Sequence, residues 1–500
     1  MAESSSQAEQ TVLPKWVVAI IALLALPAFF LGLTVPFIGP DEPRYAEVGR
    51  EMFQSGDWIT PTLAGFHWFE KPPLLYWFEA VFYSIFGVNE FAARLGPALC
   101  GLAIIGCLWL LGRLALPNEK AAANWFVIVG VSTLGLITFA HAATTDVVVT
   151  LPLTMAMVAF FIFDERLAAS KSGAKLYLPL VVMYAAAGVA LLAKGLIGLI
   201  FPPAIILVYL ILSRRLPSRT LLLSALWGIP LTLAVASIWY VPMYVRYGNE
   251  FVHEFIIRQH FERFTTNVFQ HPQPFYFYLY VLPLLTLPWL PFFLIGVWKA
   301  VGKAFTRDAN PGGRSSLQLF ALGWLIVPIA FFSLSVSKLP GYILPALPAA
   351  IIFSGLAAWD LSRKRIRWTW VSAGMAGATL IVVTILLVTV FPERAAQESV
   401  KPLLNAADQR GLGSTKILLM HADNFSAEYY AGDRLPRDAE GKQHKLYGSA
   451  ELDQAIRNSL GPTLVVVPKK YTDQVIEDVN LRSELLAENR DHCILVIFKK

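Results

Sequence analysis

The sequence predicts a mainly α polytopic membrane protein, a helical bundle that ends in a small C-terminal α/β domain. Hydrophobic residues make up 56% of the 500 residues and charged residues only 15%. The mean hydropathy of +0.55 lies well above the range of soluble globular proteins. Eleven segments free of Asp, Glu, Lys and Arg are long enough to cross a hydrocarbon core of about 30 Å.

These eleven segments define the membrane part of the chain. They are residues 16–40, 95–112, 121–145, 147–163, 176–193, 195–213, 220–245, 272–298, 315–337, 339–359 and 368–391. Because a spanning segment must satisfy its own backbone in lipid, we expect helices throughout residues 16–392. A secretory signal peptide is the alternative for the first run, but that run is too long and lacks a clear small-residue cleavage site. We therefore expect a disordered cytoplasmic tail, residues 1–15, before an uncleaved first span.

Residues 71–90 decide the topology, because they are apolar but interrupted by Glu79. The short connections predicted to be cytoplasmic hold sixteen Lys and Arg residues, whereas the longer segments on the opposite side hold eight. Cytoplasmic loops collect Lys and Arg, so residues 71–90 are predicted to form an amphipathic helix along the exported surface. The first exported loop is then residues 41–94, the N-terminus is cytoplasmic and the C-terminus is periplasmic.

The tail from residue 393 to 500 has a different character from the bundle. Short β-rich apolar runs at 416–420, 463–468 and 493–498 alternate with polar stretches that suit helices, such as 450–459. This pattern predicts a periplasmic α/β domain. Cys493 is its only cysteine, so no disulfide framework is implied.

The net charge of +6 has a topological explanation. Most of the excess Lys and Arg lies in the predicted cytoplasmic connections, so it gives no reason to expect a nucleic-acid partner. The sequence also has no P-loop, no zinc-type cysteine pair and no internal repeat. The lipid membrane is the first partner that the composition implies.

The stretch PDEPRYAEVGREM, residues 40–52, places a cluster of charges directly after the first span. One interpretation is structural, since Asp41 and Glu42 could cap the start of a helix. Glu42, Glu47 and Glu51 follow at five- and four-residue spacing, which favours a solvated stripe on a helix.

Five further polar segments lie at the same predicted membrane edge. They are FEKPP (69–73), HAATTD (141–146), LLAKG (191–195), RQHFER (258–263) and SKLPGY (337–342). Charged residues at such a depth are energetically unfavourable and tend to be functional. The pattern predicts a polar cavity on the exported face.

The residue types in these segments suit transfer of a sugar from a lipid phosphate. Lys71, Arg258 and Arg263 are candidate cations for a phosphate or diphosphate. Glu70 and His260 offer a carboxylate and an imidazole to a divalent metal ion.

Two carboxylates complete the predicted site, and several residues have structural alternatives. Asp41 and Asp146 could bind the acceptor or transfer a proton. Lys194 and Lys338 could instead extend to the membrane interface, and Asp146 could cap the following span. His260 could have a structural role alone.

The stretch PDEPRYAEVGREM, followed by SGDWITPTLAGFHWFEKPPLLYW, resembles the first exported loop of the bacterial aminoarabinose (4-amino-4-deoxy-L-arabinose) lipid A transferase family. These proteins are GT-C glycosyltransferases of the protein-mannosyltransferase-like type, families 39 and 83. The resemblance continues through LLAKG, QHFERF and SKLPGYILP and covers about residues 35–350. It implies an enzyme of the bacterial inner membrane with a polyprenyl (undecaprenyl) phosphate sugar donor and an exported acceptor, lipid A or another glycan.

The resemblance also implies roles for individual residues. Asp41 matches the family's essential first-loop aspartate, followed by Arg44 and Tyr45 as substrate-binding residues. Glu70 and Lys71 match a metal-contacting glutamate and a phosphate-binding lysine. The remaining matches are a second metal ligand, an acidic edge residue and a cavity tyrosine: His260, Asp146 and Tyr342. Lys338 of SKLPGY is a further candidate substrate-binding residue. The implied cofactor is a divalent metal ion, zinc, magnesium or manganese.

Two departures from the family pattern leave the sugar and the acceptor open. The chain reads EKPPLLYW where the enterobacterial enzymes read EKPVAGYW, and it has eleven predicted spans rather than thirteen. A protein O-mannosyltransferase-like or polysaccharide-modifying transferase is the alternative. A transporter of lipid-linked sugars would need charges near the bilayer midplane, whereas the charges here lie at one edge.

Overall fold

The computed structural model describes residues 13–265, 272–305, 313–421, 424–437, 445–457, 461–476 and 481–499. Most of the predicted tail, residues 1–12, lies outside this range. The chain divides into two units. The bundle unit comprises the residues up to Leu31, Phe69–Leu75 and Gly96–Thr384, and the loop-and-tail unit comprises Gly32–Trp68, Tyr76–Leu95 and Ile385–Lys500.

Helices account for most of the chain before residue 400. They are α1 Lys15–Phe30, α2 Asp41–Ser55, α3 Leu74–Phe86, α4 Glu90–Ala115, α5 Ala122–Val131, α6 Leu134–Ala140, α7 Thr145–Ala168, α8 Ala174–Lys194, α9 Ile197–Leu212, α10 Arg219–Phe251, α11 Arg263–Thr265, α12 Phe277–Leu285, α13 Leu290–Phe305, α14 Arg314–Leu334, α15 Leu347–Lys364 and α16 Arg367–Glu398. A π-helix, Val252–Glu262, precedes α11, and a 3₁₀ turn, Pro340–Ala346, precedes α15. A short hairpin pairs β1 Thr62–Leu63 with β2 Phe66–His67.

Each of the eleven predicted spans coincides with a helix or a bent helix pair. Within the described residues, seven helices are long and apolar enough to cross a membrane. Two further spans are the pairs α5 with α6 and α12 with α13, bent by 57° and 119°. The last two, α1 and α9, are shorter apolar helices. The predicted mainly helical membrane fold is therefore confirmed.

The break between α5 and α6 and the break between α12 and α13 are joined to each other by hydrogen bonds. The backbone N–H of Leu134 donates to the carbonyl of Leu287 at 2.9 Å. The indole Nε1 of Trp289 donates to Ser132 Oγ at 3.0 Å. Because an interrupted helix in lipid must find replacement partners, the breaks are stable only where they contact protein.

Within residues 71–90, Glu90 begins α4, and Leu74–Phe86 form the 13-residue helix α3. At 1.5 Å per residue its length is about 20 Å, which is less than the hydrocarbon thickness of about 30 Å. Its Glu79 is fully buried against α2, where a Cβ on Gly49 would lie 2.3 Å from Glu79 Oε2. Glycine at position 49 is therefore required for the close approach of these two helices.

The predicted solvated stripe on α2 is wrong for two of its three glutamates. Glu42 and Glu47 are buried, and only Glu51 is partly exposed. Glu42 receives two hydrogen bonds from Arg94, at 2.8 and 2.7 Å, and Glu47 receives one from Arg50 at 2.5 Å. These glutamates do lie on one helix, as the spacing predicts, but the side of α2 that carries Glu42 and Glu47 packs against protein rather than facing water.

The C-terminal region has the predicted α/β character. Its five-stranded sheet has the order β4-β3-β5-β7-β6, with β3 Ile417–Met420, β4 Lys445–Leu446, β5 Thr463–Pro468, β6 Leu481–Glu488 and β7 His492–Lys499. Strand β3 is parallel to β4 and β5, whereas β7 is antiparallel to β5 and β6. The helices are α17 Lys401–Gln409, α18 Phe425–Ala431, α19 Ser449–Arg457 and α20 Asp473–Ile476.

Alternation along the strands gives this sheet two apolar faces. Leu419, Leu464 and Val466 belong to one buried cluster, and Leu418 and Val465 belong to the other. Successive side chains of a strand point to opposite faces, so each face has its own core. The preceding helix α16 runs through the predicted domain boundary at 392/393 and ends at Glu398.

Candidate functional site

A cavity of about 260 Å³ lies within the bundle unit. Its polar lining includes Glu70, Lys71, Lys194, Gln259, Arg263 and Tyr342. Its apolar lining includes Leu196, Ile197, Ile200, Phe261, Phe331 and Phe332. A site with three cations beside an aliphatic and aromatic wall can bind an anionic head group attached to a hydrocarbon chain.

Glu70 holds two of the cations in position. Its Oε1 accepts hydrogen bonds from Lys71 Nζ at 2.9 Å and from Arg263 Nη1 at 3.1 Å. Arg263 follows directly after the π-helix, and its Nε donates to the hydroxyl of Tyr342 at 3.0 Å. Its Nη1 also donates to Gln259 Oε1 at 3.1 Å. The guanidinium is therefore fixed from three sides before any ligand binds.

The environment of Lys71 weakens its hold on a proton. Burial, followed by the positive charge of Arg263, lowers the pKa of Lys71 from 10.5 to about 8, although Glu70 acts in the opposite direction. Desolvation disfavours the charged form of an amine, and a neighbouring cation adds to this effect. The charge of a bound anion would favour the ammonium form and offset both influences, so this lysine is placed to hold a phosphate.

Asp146 and Lys194 form an ion pair beside the cavity. Asp146 lies in the first turn of α7 and Lys194 is the last residue of α8, two helices joined by a short connection. The Lys194 ammonium lies 4.8 Å from the centre of the Tyr342 ring. A Cβ on Gly341 would lie 2.3 Å from Asp146 Oδ2, so the PGY turn needs glycine for this contact.

The structure places two predicted cations away from the cavity lining. Arg258 is exposed and donates to Glu254 at 2.9 Å. Lys338 is buried, and its ammonium donates to the backbone carbonyls of Gln273 and Ser335. The side chain of His260 lies outside the described residues.

Asp41, Arg44 and Tyr45 belong to the loop-and-tail unit. Asp41 is the first residue of α2, and its carboxylate accepts a hydrogen bond from Arg44. The Arg44 guanidinium lies 5.1 Å from the centre of the Tyr45 ring and 5.4 Å from that of Trp68. The N-cap residue is Pro40, which makes no side-chain capping bond. Asp41 therefore forms an ion pair with Arg44 and does not act as the N-cap of α2.

The described residues around Glu70 fit a divalent metal ion poorly. A dication at Glu70 would meet the charges of Lys71 and Arg263, both within hydrogen-bond distance of the same oxygen. In the part of the chain that the structure describes, the group of three donors close enough for a metal is Glu47, Glu51 and Glu428.

Sequence reasoning missed the pairing of Lys194 and the aromatic wall of the cavity. The opposite charges of Asp146 and Lys194, at the matching ends of two consecutive helices, were a signal that could have predicted the ion pair. Phe331 and Phe332 lie inside an apolar span, where nothing in the sequence distinguishes cavity-lining residues from lipid-facing ones.

Comparison with known proteins gives three findings. The family described as dolichyl-phosphate-mannose-protein mannosyltransferase matches residues 70–240. The undecaprenyl phosphate-α-4-amino-4-deoxy-L-arabinose arabinosyl transferase of Aeromonas hydrophila is 33% identical over 386 residues, which cover 73% of this chain and 66% of the relative. The corresponding protein of Aeromonas salmonicida is 32% identical, with 68% and 60% covered. The chain spans less than two thirds of the length of these relatives.

The fold has a close counterpart among solved structures. The crystal structure of ArnT from Cupriavidus metallidurans bound to undecaprenyl phosphate aligns with a TM-score of 0.79 and 22% identity, covering 96% of this chain and 98% of that one. The apolar helices and the aminoarabinose transferase relatives, together with this fold, support an integral protein of the bacterial inner membrane. The chain is similar in sequence to the aminoarabinose transferases, and its residues 70–240 match the protein mannosyltransferase family.

Proposed function

We propose that this protein transfers 4-amino-4-deoxy-L-arabinose from undecaprenyl phosphate to lipid A. The observation that carries the proposal is the cavity in which Lys71, Lys194 and Arg263 lie beside an apolar wall. The relatives named arabinosyl transferases indicate the sugar and the donor. A polyprenyl phosphate has the anionic head and hydrocarbon tail that such a cavity can accommodate.

The geometry suggests how the donor would react. The bond between the anomeric carbon and the phosphate oxygen breaks, its electron pair stays on the phosphate, and an acceptor oxygen bonds to that carbon. Lys71 and Arg263 would stabilise the charge that develops on the departing phosphate. Glu70 and Tyr342 hold these cations in place before reaction, so little reorganisation is required.

The acceptor decides whether a base is required. A lipid A phosphate is already anionic, whereas a sugar or Ser/Thr hydroxyl must lose a proton as it attacks. We propose Asp41, in the DEPRY motif, as the residue that binds or deprotonates the acceptor. Lys71 and Arg263 are proposed to stabilise the departing phosphate.

A transfer assay tests the proposal directly. The purified chain in detergent is incubated with undecaprenyl phosphate-aminoarabinose and lipid A, and the products are analysed by mass spectrometry. We expect lipid A with one added aminoarabinose. Transfer of a hexose, or modification of a protein or polysaccharide acceptor instead, would replace this proposal with the mannosyltransferase-like alternative.

Asp41→Asn separates catalysis from structure. The amide keeps the size and hydrogen-bonding capacity of Asp41 but removes its charge and basicity. We expect the variant to fold, to bind undecaprenyl phosphate and, where the acceptor attacks through a hydroxyl, to transfer the sugar about 10²–10⁴-fold more slowly. Near-wild-type transfer would return this residue to a structural role.

The metal ion stays a separate proposal, based on the family match of Glu70 and His260. If the family match holds at this site despite the two cations on Glu70, elemental analysis of the purified protein finds a divalent metal that Glu70→Ala and His260→Ala both reduce, together with activity. Unchanged metal content in both variants would remove the metal from the site.

The orientation of the chain is proposed from its Lys and Arg distribution. Reporter fusions at Asn118 and Arg214 should both indicate a cytoplasmic location, because the connections that hold them are rich in positive charge. An exported signal at either position would overturn the proposed topology.

A further inference from the structure

The parallel part of the C-terminal sheet contains a topological switch point. Strand β3 is the neighbour of both β4 and β5 and is parallel to each. The chain leaves β3 toward β4 on one side and leaves β5 toward β6 on the other side. Adjacent strands whose connections leave in opposite directions open a crevice at their carboxyl ends, and open α/β sheets bind ligands there.

Aromatic and polar side chains gather at this crevice. His421 directly follows β3, and its imidazole stacks on the ring of Tyr471, which follows β5, with ring centres 4.1 Å apart. Tyr447 directly follows β4, and its ring stands edge-on to His421 at 6.4 Å. Three aromatic rings that lie together at the carboxyl ends of β3, β4 and β5 provide a platform for a flat or ring-shaped ligand.

Hydrogen bonds fix this platform in position. The backbone N–H of His421 donates to the carbonyl of Leu446 at 2.8 Å, which ties it to β4. A ring nitrogen of His421 lies 2.8 Å from Gln474 Oε1. His421 has a φ of +62°, a conformation that non-glycine residues seldom adopt and that is frequent at ligand-binding positions.

The platform is accessible to a ligand. Tyr447 is 62% exposed, and Gln474 and Lys470 are also exposed. The Lys470 ammonium lies 4.7 Å from the centre of the Tyr471 ring. Exposed aromatic rings beside amide, imidazole and ammonium groups present both an apolar surface and hydrogen-bond donors.

These groups match the chemistry of a sugar. A pyranose ring has an apolar C–H face that can stack on Tyr447, while its hydroxyls can reach Gln474 and His421. A phosphate substituent on the sugar would be attracted by Lys470. A nucleotide fits less well, because the sequence after β3 and β5, HADNF and KKYTD, lacks the glycine-rich turn that receives a diphosphate.

We propose that the crevice formed by His421, Tyr447, Tyr471 and Gln474 binds a phosphorylated hexosamine pyranose of the exported acceptor. The choice of sugar rests on the proposed function, since lipid A supplies such a residue. The C-terminal domain would then recognise the glycan to be modified.

Binding to the full-length protein in detergent tests this inference. The probes are glucosamine 1-phosphate, glucosamine and inorganic phosphate, each titrated by saturation-transfer NMR and calorimetry. The titrations are made with the bundle cavity saturated by undecaprenyl phosphate, so that Lys71, Lys194 and Arg263 do not bind the probes. We then expect glucosamine 1-phosphate to bind most tightly, glucosamine more weakly, and inorganic phosphate not detectably. Phosphate binding as tightly as the sugar phosphate would contradict a site built on ring stacking.

Variants locate the binding site. Tyr447→Ala should weaken glucosamine 1-phosphate binding about five- to tenfold, whereas Tyr447→Phe, which keeps the ring, should stay close to the wild type. Leu485→Ala, an exposed position on β6, is the matched control and should bind normally. Equal affinity of Tyr447→Ala and the control would overturn the proposal.

The test is independent of transferase activity, because it measures binding of a soluble sugar. Undecaprenyl phosphate binding by Tyr447→Ala is measured alongside and should be unchanged. Failure of sugar binding with intact donor binding would reject the crevice but leave the transferase proposal standing. Sugar binding without any transfer in the reconstituted assay would reject the transferase proposal but leave the sugar-binding crevice standing.

Discussion

Two networks of buried charges, one in each unit of the molecule, use the same residue types in opposite ways. In the loop-and-tail unit, Arg94 is completely buried and donates to both carboxylate oxygens of Glu42. It also donates to the backbone carbonyls of Leu33, Val35 and Pro36. Every charge in this network is matched by protein groups.

The cavity of the bundle unit leaves its charges unbalanced. Among the described residues at the cavity, three cations, Lys71, Lys194 and Arg263, face two carboxylates, Glu70 and Asp146, so positive charge is in excess there. These cations also line an open volume rather than packed side chains. A buried pair whose positive and negative charges balance can stabilise one arrangement of the chain. Net positive charge beside a cavity can instead stabilise an anionic ligand.

Arg94→Met should have the largest effect on stability. It leaves the Glu42 carboxylate buried without its main partner, which destabilises a protein by about 3–5 kcal/mol. We expect a large fall in the melting temperature in detergent, measured by intrinsic fluorescence. The double variant Glu42→Gln with Arg94→Met should recover part of the loss, and an unchanged melting temperature in the single variant would contradict a structural network.

Lys71→Met should have the opposite profile. Removing one preorganised group that stabilises charge in a transition state reduces turnover roughly 10²–10³-fold. Stability should be retained, because burial already disfavours the ammonium. Initial rates of sugar transfer are the measurement.

Arg258→Gln is the matched control for Lys71→Met, since Arg258 is exposed and does not line the cavity. It should transfer sugar at close to the wild-type rate. A loss in Arg258→Gln as large as that in Lys71→Met would show that positive charge matters regardless of position.

Glu47→Gln should have the smallest effect, and one that depends on pH. Burial raises the pKa of Glu47 from 4.5 to about 8, with Arg50 acting in the opposite direction. The folded protein therefore retains a proton that the unfolded chain releases, and this contribution to stability is lost as the pH rises from 4.5 through 8. The glutamine variant should melt a few degrees above the wild type at pH 9 and close to it at pH 5. Parallel melting curves at both pH values would contradict this.

The membrane spans and the charged residues of the cavity could both be predicted from the sequence, but from different signals. Spans are defined by the absence of charge over about twenty residues, which is a local property. Lys71 and Arg263 were recognisable because they interrupt apolar sequence at a membrane edge. The pairing of Glu70 with Arg263 was not predicted, since 193 positions separate these two residues.

The burial of Glu42 and Glu47 could not be predicted in this way. Their spacing describes a helical face, but whether that face meets water or protein depends on the rest of the fold. The partner of Glu42 is Arg94, 52 residues later, at the start of an apolar helix where an arginine ordinarily marks a membrane boundary. Local pattern identifies the charges, and only the tertiary structure shows which are neutralised.

The affinity for undecaprenyl phosphate as a function of pH tests the central claim most directly. The claim is that Lys71, with a pKa of about 8 in the free protein, holds the donor phosphate as an ammonium. The dissociation constant is measured from pH 7 to pH 10, a range above the second pKa of about 6 of a phosphate monoester. The wild type should lose affinity as the pH rises above 8, because a proton must be taken up to bind. Lys71→Arg keeps its charge and should bind with little pH dependence over this range. Parallel profiles for the two proteins would contradict the account.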